Sequence, residues 1–141
     1  MKVLLSIKPE FAERIFDGTK RYEFRKAVYA NRAVQTVVVY VTRPVGRIVG
    51  EFDVDGIVEA APGCLWAETH VHAGISREFF DAYFNGRERA FAIRVGEVRR
   101  YDTPLVPEDL IENFTAPQSY MYVDDRLGRL SGEARQAVLF E

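Results

Sequence analysis

The sequence predicts an α+β domain of about five to six strands curled into a small barrel, with short helices at its flanks. Three observations predict it. Hydrophobic residues make up 48% of a 141-residue chain, which suffices for one continuous core within the size of a single domain. Strand-type segments are mixed with a few short helical stripes in no regular βαβ alternation. Glycines interrupt the longest strand pattern where a closing sheet must bend. One domain over residues 1–141 is therefore expected.

The elements follow in order. Val3-Leu4-Leu5-Ser6-Ile7 is a short apolar run of buried-strand type, and Pro9 stands where a helix tolerates proline, in its first turn. Across residues 10–17, Phe11 with Ile15 and Ala12 with Phe16 form one apolar stripe, and Gly18 occupies the position of a left-handed cap. Lys20-Arg21-Tyr22-Glu23-Phe24-Arg25 then alternates, predicting a strand with Tyr22 and Phe24 on one face and a wet face of Arg21, Glu23 and Arg25. Residues 34–41 are β-branched almost throughout, as in the centre of a sheet. Residues 46–59 read as a longer strand with bends or bulges at Gly50 and Gly56.

Residues 62–71, opened by Pro62-Gly63, fit either a short helix or an irregular excursion. Ser76 predicts the N-cap of a helix carrying Phe79, Phe80 and Tyr83 and ending at Asn85-Gly86. A strand is expected over residues 89–101, broken by Asp102-Thr103-Pro104, with a helical turn at 107–111 and a last strand at 120–123 before a polar tail.

Composition narrows the function classes. No apolar run approaches the length of a membrane span, and charge at Lys8 interrupts any secretory h-region. Cys64 is the only cysteine, so an intrachain disulfide or thiolate metal cluster is excluded, and a reducing, cytoplasmic setting is expected. The net charge of -2 conceals an asymmetry: residues 1–50 hold ten Lys or Arg against four Asp or Glu, and the remainder holds nine against seventeen. An anionic partner is therefore expected to meet the first third of the chain.

The stretch richest in chemistry is Gly18-Thr19-Lys20-Arg21-Tyr22-Glu23-Phe24-Arg25. It resembles the ASCH signature G-x-K-x-x-E-x-R of the PUA-like superfamily, placed as in that family after an opening strand and helix. Val41-Thr42-Arg43-Pro44-Val45, Ile48-Val49-Gly50-Glu51, Phe79 to Tyr83 with Gly86, Phe91-Ala92-Ile93 and Pro104 are similar to later parts of the family pattern, and Ala116-Pro117-Gln118-Ser119-Tyr120 resembles its closing segment. The resemblance implies a PUA-like barrel with a basic cleft beside it that binds RNA or a nucleotide, with DNA as a further option, without a cofactor.

The residues make physical sense of such a cleft. Glu23 and Arg25 share a strand face, so the carboxylate can hold the guanidinium while donors stay free for a phosphate or a base edge. Lys20 is out of register with Glu23 and joins them only if it precedes the strand or sits on a bulge. Lys8, Arg21, Arg43 and Arg47 are candidates to extend the basic surface, and Tyr22, Tyr40, Tyr120 and Tyr122 offer stacking faces, Tyr120 foremost because it is expected in a loop.

A hydrolase is the alternative, since relatives in the family act as ribonucleases or remove acyl groups from modified cytidines. In the latter a lysine, a threonine three residues on and a helical glutamate are catalytic. Lys20 matches the lysine, Glu23 stands where the threonine belongs, and Glu78 is the nearest glutamate. A third reading, a protein-interaction module, rests on ASCH modules occurring in coactivators. Glu51, Asp53 and Asp55 on one strand face, and His70 and His72 with Glu68, offer metal-type ligands but no complete shell, so no metal is expected.

Overall fold

The computed structural model describes residues 1–128; the polar tail, and with it part of the expected 1–141 domain, lies outside the described residues. Six strands form one sheet: β1 (Lys2–Ile7), β2 (Tyr22–Arg25), β3 (Thr36–Val41), β4 (Arg47–Ala60), β5 (Ala90–Leu105) and β6 (Met121–Val123). Their order is β2-β5-β4-β3-β1-β6, with β1 and β3 parallel and every other pairing antiparallel. Helices α1 (Pro9–Asp17), α2 (Pro62–Thr69) and α3 (Arg77–Tyr83) flank it, with 3-10 turns at His70–His72 and Pro107–Asp109.

The sheet curls but does not close. Strands β2 and β6 are its edges, and among the described residues no strand pairing joins them, so the sheet is open and bent and the expected barrel is not closed. Its bending has a local cause. The β4–β5 register slips three times, between Ile48 and Gly50, Phe52 and Val54, and Val54 and Ile57, with Gly56 at φ 136° in the last slip. Each slip leaves residues of one strand unpaired and adds twist. Strand β5 runs on through Asp102-Thr103-Pro104 to Leu105, past the expected break, because Ile48 still pairs with Leu105 after the slip.

The central strand is β3, as its β-branched composition predicts: Val37, Val39 and Val41 point into one cluster and Val38 and Tyr40 into another. Strand β1 is likewise buried on both faces, with Val3, Leu5 and Ile7 opposite Leu4. Helix α1 covers the first cluster through Ala12 and Ile15, and Gly18 caps it at φ 89°. A third cluster, in which Leu65 of α2 and Phe80 of α3 meet Phe24, Ala90 and Ala92, carries the remaining helices onto the β2–β5 end. The open segment at 62–71 is thus helical, and Ser76 caps α3 by accepting from the Phe79 N–H at 3.0 Å.

Gly50 lies where α1 meets the sheet, and a Cβ there would come within 2.5 Å of the Arg99 carbonyl oxygen and 2.8 Å of the Phe16 ring. Gly50→Ala is expected to cost about 1–3 kcal/mol of stability through overpacking. Gly63→Ala, whose Cβ meets nothing within 4 Å, is expected to be neutral or slightly stabilising. Urea denaturation of both variants against the parent chain checks this.

Candidate nucleic-acid interface

The reversal between α1 and β2 builds the candidate site. After the Gly18 cap, the Lys20 N–H donates to the Arg14 carbonyl at 2.9 Å and the Arg21 N–H to the His72 carbonyl at 2.8 Å, so the ladder of β2 begins only at Tyr22. Lys20 therefore precedes the strand, and its side chain escapes the alternation that would have turned it away from Glu23. It is 2% exposed. Its Nζ donates to the Ala73 carbonyl at 2.9 Å and stands 4.7 Å from the Phe24 ring centroid and 5.4 Å from that of Phe11.

The neighbouring loop is shaped for that side chain. Gly74 has φ 68°, and a Cβ on it would fall 2.4 Å from the Lys20 Cβ. Only glycine satisfies both the backbone and the approach.

Glu23 and Arg25 share the other face of β2, as the alternation predicts, but that face is not wet. Glu23 is 7% exposed. Arg25 Nε lies 3.2 Å from Glu23 Oε2, and the guanidinium also donates to the Ser6 carbonyl on β1 at 2.8 Å, bridging the two limbs of the curled sheet. The contact with Glu23 is an ion pair off the N–H axis, so the buried Nε–H has no hydrogen-bond partner.

These groups open into a cleft of about 250 Å³. Its polar lining is Ser6, Lys8, Lys20, Glu23, Arg25 and Gln118, and its apolar lining includes Phe11, Phe79 and Tyr83. Phe11 and Phe79 meet edge to face with centroids 5.1 Å apart, and Lys8 Nζ lies 5.2 Å from the Phe79 ring.

The structure thus brings Lys8, Lys20, Glu23 and Arg25 together and leaves the other sequence candidates outside the cleft. Arg21 is exposed at the start of β2, and Arg43 and Arg47 are exposed on either side of the β3–β4 turn. Tyr120 packs edge to face on Tyr29 and Tyr122 over the main core, and Tyr40 is buried in the opposite cluster. Glu78 is exposed on α3, because Phe79 and Tyr83, one turn apart, take the cleft side of that helix. Sequence reasoning placed Phe79 and Tyr83 on a helix and Phe11 in an apolar stripe, and gave none of them to the cleft. Their spacing alone does not distinguish a packed ring from one that lines a cleft.

The model of the ASCH domain matches residues 5–99. The chain belongs to the ASCH domain family. It is 30% identical over 128 residues to an ASCH domain-containing ribonuclease of Zymomonas mobilis subsp. mobilis, covering 86% of this chain and 84% of that protein. It is 32% identical over 124 residues to a Ureaplasma parvum protein named large ribosomal subunit protein uL22, of whose length it spans 39%. The crystal structure of ASCH from Zymomonas mobilis superposes with a TM-score of 0.80 at 28% identity, covering 89% of each chain. The N-terminal domain of Staphylothermus marinus McrB, at 14% identity and a TM-score of 0.56, shares the fold.

Two acidic residues of β4 in this ASCH domain, Glu51 and Asp53, are held in an ion-pair network. Glu51 accepts from Lys2 at 2.9 Å, Tyr101 at 2.8 Å and Arg99 at 2.8 Å, and Arg99 also reaches Asp53 at 2.6 Å. Burial would raise the Glu51 carboxyl, but these donors outweigh it and hold it below the usual range. Among the described residues no group of three His, Cys, Asp or Glu is placed to hold a metal. No described helix is long and apolar enough to cross a membrane.

In the cleft the balance runs the other way. Burial pulls the Lys20 ammonium down from 10.5 to about 8; Glu23 opposes the shift, and Arg14 and Arg25 add to it. Between these two values the unfolded chain carries a proton that the folded ASCH domain has shed, so this group's contribution to stability rises as pH climbs from about 8 toward 10.5. From pH 7 to pH 9 the rise is expected to be about 1 kcal/mol. Chemical denaturation at both pH values is expected to show that increment in the parent chain and not in Lys20→Met.

Proposed function

We propose that this ASCH domain binds single-stranded RNA, or a single nucleotide of it, in the cleft between the β1–β2 limbs of the sheet and helices α1 and α3. Lys8, Lys20 and Arg25 supply the cationic contacts. One observation carries the reading: a buried ammonium and a guanidinium line a small cleft whose other walls are aromatic rings. A phosphate answers the cations and an unpaired base answers the rings. The cleft lies below the roughly 300–1,000 Å³ usual for small-molecule pockets, which favours a single nucleotide over a larger ligand. Arg21, exposed where β2 begins, is the outlying cation placed to meet a flanking phosphate; Arg43 and Tyr120 are given no role.

RNA cleavage is the second reading, favoured by the Zymomonas relative that is named a ribonuclease and by the depressed basicity of Lys20. A neutral Lys20 would accept the proton of a ribose 2′-hydroxyl as its oxygen bonds to phosphorus, the P–O5′ bond would break with the leaving oxygen protonated by water, and Arg25 would offset charge building on the phosphorus oxygens. The acyl-cytidine amidohydrolase arrangement has less support, since Glu23 replaces its threonine and Glu78 stands outside the cleft.

Fluorescence anisotropy with labelled single-stranded RNA tests the binding. Affinity is expected to fall with salt and to drop about tenfold or more in Lys20→Ala/Arg25→Ala, with Arg43→Ala within about twofold of the parent. Affinity unchanged in the double variant would place binding elsewhere. If the RNA is cut, the rate is expected to climb between pH 6 and about 8 as Lys20 loses its proton, and Lys20→Ala to abolish it.

A further inference from the structure

A phosphate backbone does not account for Glu23. The carboxylate lines the cleft and is 7% exposed, and it would repel a phosphodiester brought against the neighbouring cations. Among the described residues its ion pair runs from Arg25 Nε to Oε2, and Oε1 is not among the buried atoms without a partner, so it opens to the cleft with acceptor capacity to spare. A carboxylate oxygen open to a cleft accepts from whatever donor a ligand brings there. The rings of Phe11, Phe79 and Tyr83 bound the same space, so the group nearest Glu23 in an occupied cleft is a flat, aromatic one that carries N–H donors.

We propose that Glu23 reads the nucleobase: the cleft selects a base with an exocyclic amino group, namely guanine, cytosine or adenine, and rejects uracil. This rests on the RNA-binding reading above and names its substrate class. An amino group donates to the carboxylate as carboxylates accept from the N4 amine of cytosine. Uracil carries instead two carbonyl oxygens on either side of one N–H, and turning that edge toward Glu23 sets a carbonyl against a carboxylate. Lys20, with donors beyond the one given to Ala73, meets the carbonyl or ring nitrogen that accompanies the amine. Arg25 holds Glu23 by charge and takes the phosphate, so base and backbone are read by two ends of one ion pair.

The test titrates the full chain with labelled 2′-O-methyl pentanucleotides of A, C and U, which are not cleaved through the 2′ oxygen. The A and C pentamers are expected to bind about tenfold or more tighter than the U pentamer. Glu23→Gln, with its fold verified by circular dichroism, is expected to bring the three within about twofold by improving U, because an amide also donates to a carbonyl. Equal, salt-sensitive affinities for all three in the parent chain would overturn the base reading and leave the RNA site standing. Binding of none would overturn both. A folded Glu23→Gln that loses A, C and U alike would show that Glu23 only positions Arg25, and would also sink the proposal.

Discussion

The close approach of Lys20 to the loop at Ala73 and Gly74 is the constraint on which the cleft depends. It joins two parts of the chain with no sequence reason to meet: the turn after α1 and the linker into α3. The hydrogen bond from Lys20 to the Ala73 carbonyl, and the bond from Arg21 to His72, fix where β2 starts. That starting point lets a lysine out of register with Glu23 enter the same space. The linker in turn sets α3, which brings Phe79 and Tyr83 to the far wall.

Keeping an ammonium there is costly, and the compensation is local. Phe11 and Phe24 offer ring faces, Ala73 an acceptor and Glu23 a counter-charge, yet burial still wins and lowers the basicity of Lys20. The Glu51 cluster shows the opposite balance on the other side of the sheet. There a buried carboxylate receives donors from Lys2, Arg99 and Tyr101 and remains ionised. Such saturation marks a structural network that clamps β1, β4 and β5, whereas Glu23 has only the ion pair to Arg25 and lines the cleft.

Much of the fold was legible because the signals were local. The β-branched run at 36–41, the Pro9 start and Gly18 stop of α1 and the Ser76 cap depend on neighbours within a turn or a pleat. The reach of β5 was not legible, since Asp102-Thr103-Pro104 reads as a breaker while the slipped β4 partner keeps it paired. Closure failed for a related reason: glycines announce bending, but whether the edges meet depends on the summed twist of every strand. The face of β2 was misjudged as wet because a charged alternation carries no record of the distant β1 backbone to which Arg25 reaches across.

By itself the sequence determined the α+β class, the order of most elements, and the family signature on Lys20, Glu23 and Arg25. Those are properties of residue type and short spacing. Only the tertiary structure decided that Lys8 joins them, that Arg21, Arg43, Tyr120 and Glu78 do not, and that Phe11, Phe79 and Tyr83 line the cleft. The physical reason is that a cleft is formed by segments far apart in the chain, and its membership follows from which surfaces the buried core leaves facing one another.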